Sequence, residues 1–276
     1  MNELSIVILN YNTWEETIVE VERCHNVLSV PYKDIIVVDN ASTNESAEKL
    51  TEYSKGKSIV FIISEENKGY ASGNNIGLRY AFDKGYKYAF IMNNDIEFSD
   101  DTLAYNMIEV MKKDSTIAVI NSDILSPDGY MFNRDSKRPS FWDYTLGILS
   151  YRKKGRQINN LGGYGYVYRP QGCCMLVDLM KIHEVDYMDE NTFLYVEEPI
   201  LAERLLKKNY RCACYIEQQV VHNHSVTVKS TFQKKKIRRM NNESFRYYLT
   251  EYRGFGKLKT TICCIVNSLK MIFLER

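Results

Sequence analysis

The chain has 276 residues, 45% of them hydrophobic and 26% charged, enough for one large α/β domain with a C-terminal appendage. Its 36 Lys and Arg against 35 Asp and Glu leave a formal net charge of +1, which excludes nucleic-acid binding through the bulk charge of the chain. Seven cysteines with no CxxC and no disulfide-framework spacing point to a reducing compartment, and the lack of an export signal before the first apolar run points to a cytoplasmic location.

Apolar runs rich in Ile and Val at 4–9, 35–38, 59–63, 88–92 and 117–121 alternate with longer segments of helical period. None alternates apolar with polar, so they are predicted as strands of a doubly wound, mostly parallel sheet covered on both faces. Thr13 and Glu16 have the spacing of a capping box, which predicts a helix opening near Trp14. Further helices are predicted at 73–84 and 101–113. The stretch 126–165 has no clear period and reads as irregular acceptor-side structure. An apolar run follows at 173–177, then an acidic segment at 187–198, a helix at 200–208 and a short strand at 211–215.

Ligands of open α/β sheets bind beyond the carboxyl ends of the strands, which directs attention to the polar residues that follow each apolar run. Asn10, Tyr11 and Asn12 follow the first, and Asp39 and Asn40 the second; Asp39 suits a base or ribose, and equally suits a turn or N-cap. Asn67, Lys68, Gly69 and Asn74 occupy a glycine-containing loop before a helix, where Lys68 and the helix N-terminus suit a diphosphate. Asn93, Asn94 and Asp95 end the fourth run, and Asp95 is a candidate ligand for a hard divalent cation, or else a solvated turn residue. Glu197 and Glu198 precede Pro199 and suit a helix N-terminus. His222 and His224 alternate, so on an extended segment they face one side, as metal ligands or as loop histidines. The first strand lacks a G-x-G-x-x-G turn, which argues against a dinucleotide-dependent oxidoreductase.

In order, Val-Asp-Asn-x-Ser from Val38, Asn-x-Gly-x-Ala-x-Gly-Asn-Asn from Asn67, and Asn-Asn-Asp from Asn93 resemble inverting family 2 glycosyltransferases of the GT-A fold, with rhamnosyltransferase-like members the nearest pattern. Gln171 to Leu176, Phe193 to Glu198 and Val221 to Ser225 extend the resemblance over roughly residues 4–225.

The resemblance implies a GT-A domain over 1–225, with a nucleotide-binding half at about 1–122 and an acceptor half at about 123–225. It implies transfer of a sugar from a nucleotide donor, UDP- or dTDP-linked, to a saccharide or lipid-linked acceptor in surface polysaccharide or glycolipid synthesis. Glu198, with Glu197 beside it, takes the general-base position, usually Asp in the family. Asp95, His222 and His224 are implied to contact Mg2+ or Mn2+ and the diphosphate. Asn93 replaces the first acid of the family's Asp-x-Asp-like motif, so the alternative is a decayed nucleotide-binding or scaffold protein.

The extension at 226–276 is predicted as a basic, amphipathic helical tail: Lys229, Lys234, Lys235, Lys236, Arg238 and Arg239 precede a mostly apolar run at 260–274 that is short for a membrane span. Two readings stand for it. It lies at the inner face of a membrane, or it packs on the catalytic domain or another subunit.

Overall fold

The computed structural model describes residues 3–147, 157–223 and 234–274. Among these residues nine strands, numbered in chain order, form one sheet in the order β3-β2-β1-β4-β8-β6-β9-β5, with β7 paired to β9. β1 (Leu4–Asn10), β2 (Ile35–Asp39), β3 (Val60–Ile63) and β4 (Tyr88–Met92) run parallel, linked through α1 (Trp14–Leu28), α2 (Ser46–Lys57) and α3 (Tyr70–Asp83). Successive side chains of β1 enter different cores: Ile6 and Ile8 meet Val21 and Cys24 of α1, whereas Val7 meets Ala71 and Leu78 of α3. Burial on both faces is why these strands read as continuous apolar runs.

The second half departs from the parallel pattern. After β5 (Ile96–Glu97), α4 (Leu103–Lys113) and β6 (Ile117–Leu125) come α5 (Phe141–Tyr144), β7 (Tyr164–Val167), β8 (Cys174–Asp178), α6 (Leu179–Glu184), α7 (Glu197–Lys207) and β9 (Arg211–His222). β8 is inserted antiparallel between β4 and β6, and β9 runs parallel to β6 and antiparallel to β5 and β7. β9 is 12 residues long, where a short strand at 211–215 is predicted. Its register on β6 jumps between Tyr215 and Gln219, so the polar Glu217 and Gln218 lie in a bulge that breaks the apolar run without ending the strand.

Two helix starts also differ. α1 begins at Trp14, but Thr13 makes no side-chain cap; its hydroxyl instead accepts from Asn94 Nδ2 at 2.8 Å. α3 begins three residues before the predicted 73, because Gly69 serves as its N-cap.

Two C-terminal helices, α8 (Lys234–Tyr247) and α9 (Lys257–Leu274), form a hairpin through a π-helical turn at Tyr248–Tyr252. Asn267 Nδ2 donates to Asn241 Oδ1 at 2.8 Å and Asn242 Oδ1 at 3.0 Å, and Asn242 bonds Ser268, so the helices lie side by side. The hairpin docks on the α/β domain through Tyr248, Leu249 and Cys263, which pack around Ile200. Polar anchors reinforce this contact: Ser244 Oγ donates to Leu194 O at 2.9 Å, Tyr247 to Asp189 at 2.9 Å, and Arg253 to Pro139 O at 2.6 Å. Behind them the buried Glu203 receives both arms of Arg138 at 2.6–2.7 Å and the Tyr168 hydroxyl at 2.6 Å, and Tyr168 meets Tyr248 at 2.7 Å. The tail therefore packs on the domain. All seven cysteines are buried as free thiols, and no helix among the described residues is long and apolar enough to cross a membrane.

Candidate active site

The loops after β1 and β2 are laced together at the carboxyl end of the sheet. Asn10 and Asp39 are register partners, and Asn10 Nδ2 donates to Asp39 Oδ1 at 2.6 Å. The Asp39 carboxylate also accepts from the Ser42 hydroxyl at 2.6 Å and the Ser42 amide at 2.9 Å, the geometry of a turn-capping aspartate. Asn12 closes the pair of loops by accepting from Thr43 N at 2.8 Å. Asn40 reaches across to Asn67 Oδ1 at 3.1 Å and Gly69 O at 3.2 Å, which fixes the third loop to the second.

That third loop differs from the expected anion cradle. The Phe193 carbonyl sits on the N-terminus of α3 and accepts from Tyr70 N at 3.0 Å. Gly69 has φ +102°, and a Cβ there would lie 2.0 Å from Phe193 O, so the glycine admits protein backbone where a diphosphate is expected. Gly73 likewise admits Leu9 and Asn40. Lys68 is exposed and pairs with Glu66 at 2.7 Å, while Asn74 is fully buried and donates to Tyr70 O at 3.0 Å. The loop staples the parallel half of the sheet to the segment that carries Glu197 and Glu198.

Asp95 and His222 are brought together by strand pairing. β5 pairs antiparallel with the end of β9, Ile96 opposite His222, and Asn223 N donates to Asp95 O at 3.0 Å. His222 Nε2 then lies 3.2 Å from Asp95 Oδ1. Both Asp95 carboxylate oxygens are buried, and neither accepts an aligned hydrogen bond from the described residues. A buried carboxylate whose one close polar neighbour is an imidazole, a metal ligand in its own right, fits a cation held between the two. Asn94 is turned away and donates to Thr13 and Thr17 at 2.8–2.9 Å. His224 lies outside the described residues. Among the described residues no group of three or more His, Cys, Asp and Glu gathers for a metal.

Glu197 and Glu198 open α7 after Tyr195 and Val196, both at φ 73°. Two successive non-glycine residues in the left-handed region, one of them β-branched, are a strained turn held by its surroundings. Glu197 is 4% exposed, and burial followed by the Glu198 charge pushes its pKa from 4.5 to about 8, which keeps it protonated near neutrality. Glu198 Oε1 accepts from Gly172 N at 3.2 Å, and its Oε2 lies 4.0 Å from Arg169, itself paired to Asp135 at 2.7 Å.

Both acids line a cavity of about 560 Å3. Its lining includes Asn93, Cys173 and His222 at the strand ends of the sheet, Tyr144 from α5, and Phe245, Tyr248, Asn267 and Lys270 from the hairpin. One space thus joins the acid pair to the carboxyl ends of the strands and to the tail.

The glycosyl transferase family 2 model matches residues 5–178 of this chain. The chain belongs to that family. This family 2 glycosyltransferase is 25% identical over 227 residues to the low-salt glycan biosynthesis hexosyltransferase Agl10 of Haloferax volcanii, a match covering 82% of the chain and 69% of the relative. It is 28% identical over 120 residues to the poly-beta-1,6-N-acetyl-D-glucosamine synthase of Staphylococcus epidermidis, spanning 44% of the chain and 28% of the synthase. Among solved structures, the mannosyltransferase PcManGT of Pyrobaculum calidifontis, in complex with GDP-Man and Mn2+, superposes with a TM-score of 0.63 at 11% identity over 99% of the chain and 74% of its own. TarS 1-349 of S. aureus, in complex with UDP-GlcNAc, gives 0.57 at 12% identity over 99% of the chain and 73% of its own. These neighbours establish the GT-A fold of the glycosyltransferase.

Several lining residues escape the motif reading. Tyr70, whose hydroxyl donates to Gly172 O at 2.7 Å, follows a glycine inside a recognised motif, and Arg169 lies two residues before another. Tyr144 lies in the segment without a clear period, and Phe245 and Tyr248 carry no motif signal because docking of the tail is what brings them to the site.

Proposed function

We propose that the enzyme inverts the donor sugar in a single displacement, with Glu198 as general base. The supporting observation is that one cavity holds Glu198, the strand-end residues Asn93 and His222, and an aromatic and amide wall suited to a saccharide. A nucleoside-diphosphate sugar occupies the side formed by residues 1–122, with the loops of Asn10, Tyr11 and Asn12 and of Asp39 and Asn40 at the nucleoside end. An acceptor saccharide enters over the second half of the domain, beneath the hairpin at 234–274.

Glu198 accepts the proton of the acceptor hydroxyl as that oxygen bonds to the anomeric carbon; the bond from that carbon to the diphosphate oxygen breaks, and its electron pair leaves with the diphosphate. Glu197 is held neutral by burial and by the neighbouring Glu198 charge. Gly172 N and Arg169 orient the Glu198 carboxylate. Asp95 and His222 would hold Mg2+ or Mn2+, which when bound neutralises charge on the leaving diphosphate.

The test is Glu198→Gln, which keeps shape and removes the base. Thermal shifts produced by UDP, dTDP and GDP, each with and without Mn2+, should match wild type, while nucleotide release from UDP-glucose or dTDP-rhamnose in the presence of acceptor falls roughly 10²-fold or more. Unchanged turnover would remove Glu198 from the role, and no shift with any nucleotide would remove the donor site.

A further inference from the structure

Only one face of α9 is used in docking. Thr260, Cys263 and Cys264 are buried, and Asn267 and Lys270 line the cavity. Leu258, Ile262, Ile265, Leu269 and Ile272 lie outside, at 37–76% exposure. Their spacing of four, three, four and three residues places them on a single stripe about 21 Å long. α5 packs against α9 and carries Trp142, and Leu146 follows just past its end; both are strongly exposed.

Charge is segregated to the same hairpin. Residues 234–274 contain ten Lys and Arg and two Glu, a net +8 in a chain whose total is +1. Pairing of Asn241 and Asn242 with Asn267 and Ser268 sets the basic start of α8 beside the end of α9, while Lys257 and Lys259 are exposed at its other end. Cations therefore flank the apolar stripe at both ends. A second copy is disfavoured as the occupant, because two basic hairpins repel; an anionic lipid surface meets both the charge and the stripe.

We propose that the outer face of α9 docks flat on an anionic lipid surface, its apolar stripe at the headgroup boundary and the exposed cations at its two ends against lipid phosphates. Because the inner face of the same helix lines the cavity, docking places the site about 10 Å from the lipid, one helix diameter. That position suits a lipid-anchored acceptor, a consequence that rests on the glycosyl-transfer reading, whereas lipid binding itself does not.

The experiment is co-sedimentation of the full chain with vesicles of phosphatidylglycerol and phosphatidylcholine, and with phosphatidylcholine alone, without donor. Wild type should bind the anionic vesicles, less as salt rises, and bind phosphatidylcholine at least roughly tenfold more weakly. The double variant Ile265→Asp/Leu269→Asp should lose roughly tenfold or more in binding, and Lys257→Glu/Lys259→Glu a comparable factor. Circular-dichroism melts of both should match wild type, since all four side chains are exposed. Vesicle binding indifferent to the aspartates overturns the proposal. So does a dimer by light scattering that the aspartates dissociate while vesicle binding is absent, which assigns the stripe to a second copy. Vesicle binding without any nucleotide-induced thermal shift leaves lipid docking standing and removes the glycosyl-transfer reading alone.

Discussion

Replacing Glu197 by Gln isolates the energetics of the buried acid. The side chain is 4% exposed, and its Oε1 accepts no hydrogen bond from the described residues. Burial and the Glu198 charge raise its pKa from 4.5 to about 8, so between those values the folded chain keeps a proton that the unfolded chain has released. The resulting stabilisation is complete below pH 4.5 and is lost as pH rises through about 8. Gln preserves the shape and does not titrate. Relative to the variant, wild type should lose up to about 1.4 kcal/mol of stability per pH unit within that window, roughly 3 kcal/mol between pH 5 and 7.5. Urea unfolding of both proteins at several pH values across the window measures the difference directly. Parallel stability profiles would refute a buried, proton-holding Glu197.

Asp95→Ala should weaken nucleoside-diphosphate binding roughly tenfold or more with Mn2+ present and little without it, as measured by calorimetric titration; equal losses under both conditions would exclude a cation role. Gly69→Ala should cost roughly 2–4 kcal/mol, because the new Cβ would lie 2.0 Å from Phe193 O at φ +102°, and a melt within a degree of wild type would contradict that packing. Tyr248→Phe removes the hydroxyl that meets Tyr168 at 2.7 Å and accepts from Arg253 at 2.8 Å; a loss of roughly 1–3 kcal/mol in urea unfolding is expected.

The parallel half was legible because burial on both faces leaves an unbroken apolar run, as at Ile35–Asp39 and Tyr88–Met92. The antiparallel insertion of β8 was not, since Cys174–Asp178 reads the same in either direction. β9 was cut short because a bulge at Glu217 and Gln218 imitates a strand end. That error had a consequence at the site: the pairing of Ile96 with His222, which sets His222 beside Asp95, exists only if the strand continues past the bulge. Asp95 and His222 were named from their chemistry and the family pattern, and their contact came from topology. The reverse holds for Gly69, whose residue type signalled a close approach, expected of a diphosphate, where the Phe193 backbone is what approaches.

The tail shows where periodicity stops being informative. An amphipathic helix has the same 3.6-residue period whether its apolar side meets protein or lipid, so composition alone left both readings of 226–276 open. In the folded chain the question divides between two sides of one helix. Cys263 and Cys264 satisfy the protein, and the stripe from Leu258 to Ile272 remains exposed. A tail needed only for packing would have no use for that second stripe, and one needed only for lipid would not bring Asn267 and Lys270 into the cavity. The arrangement accounts for both if the hairpin is at once a wall of the acceptor site and the surface that carries the site to its acceptor.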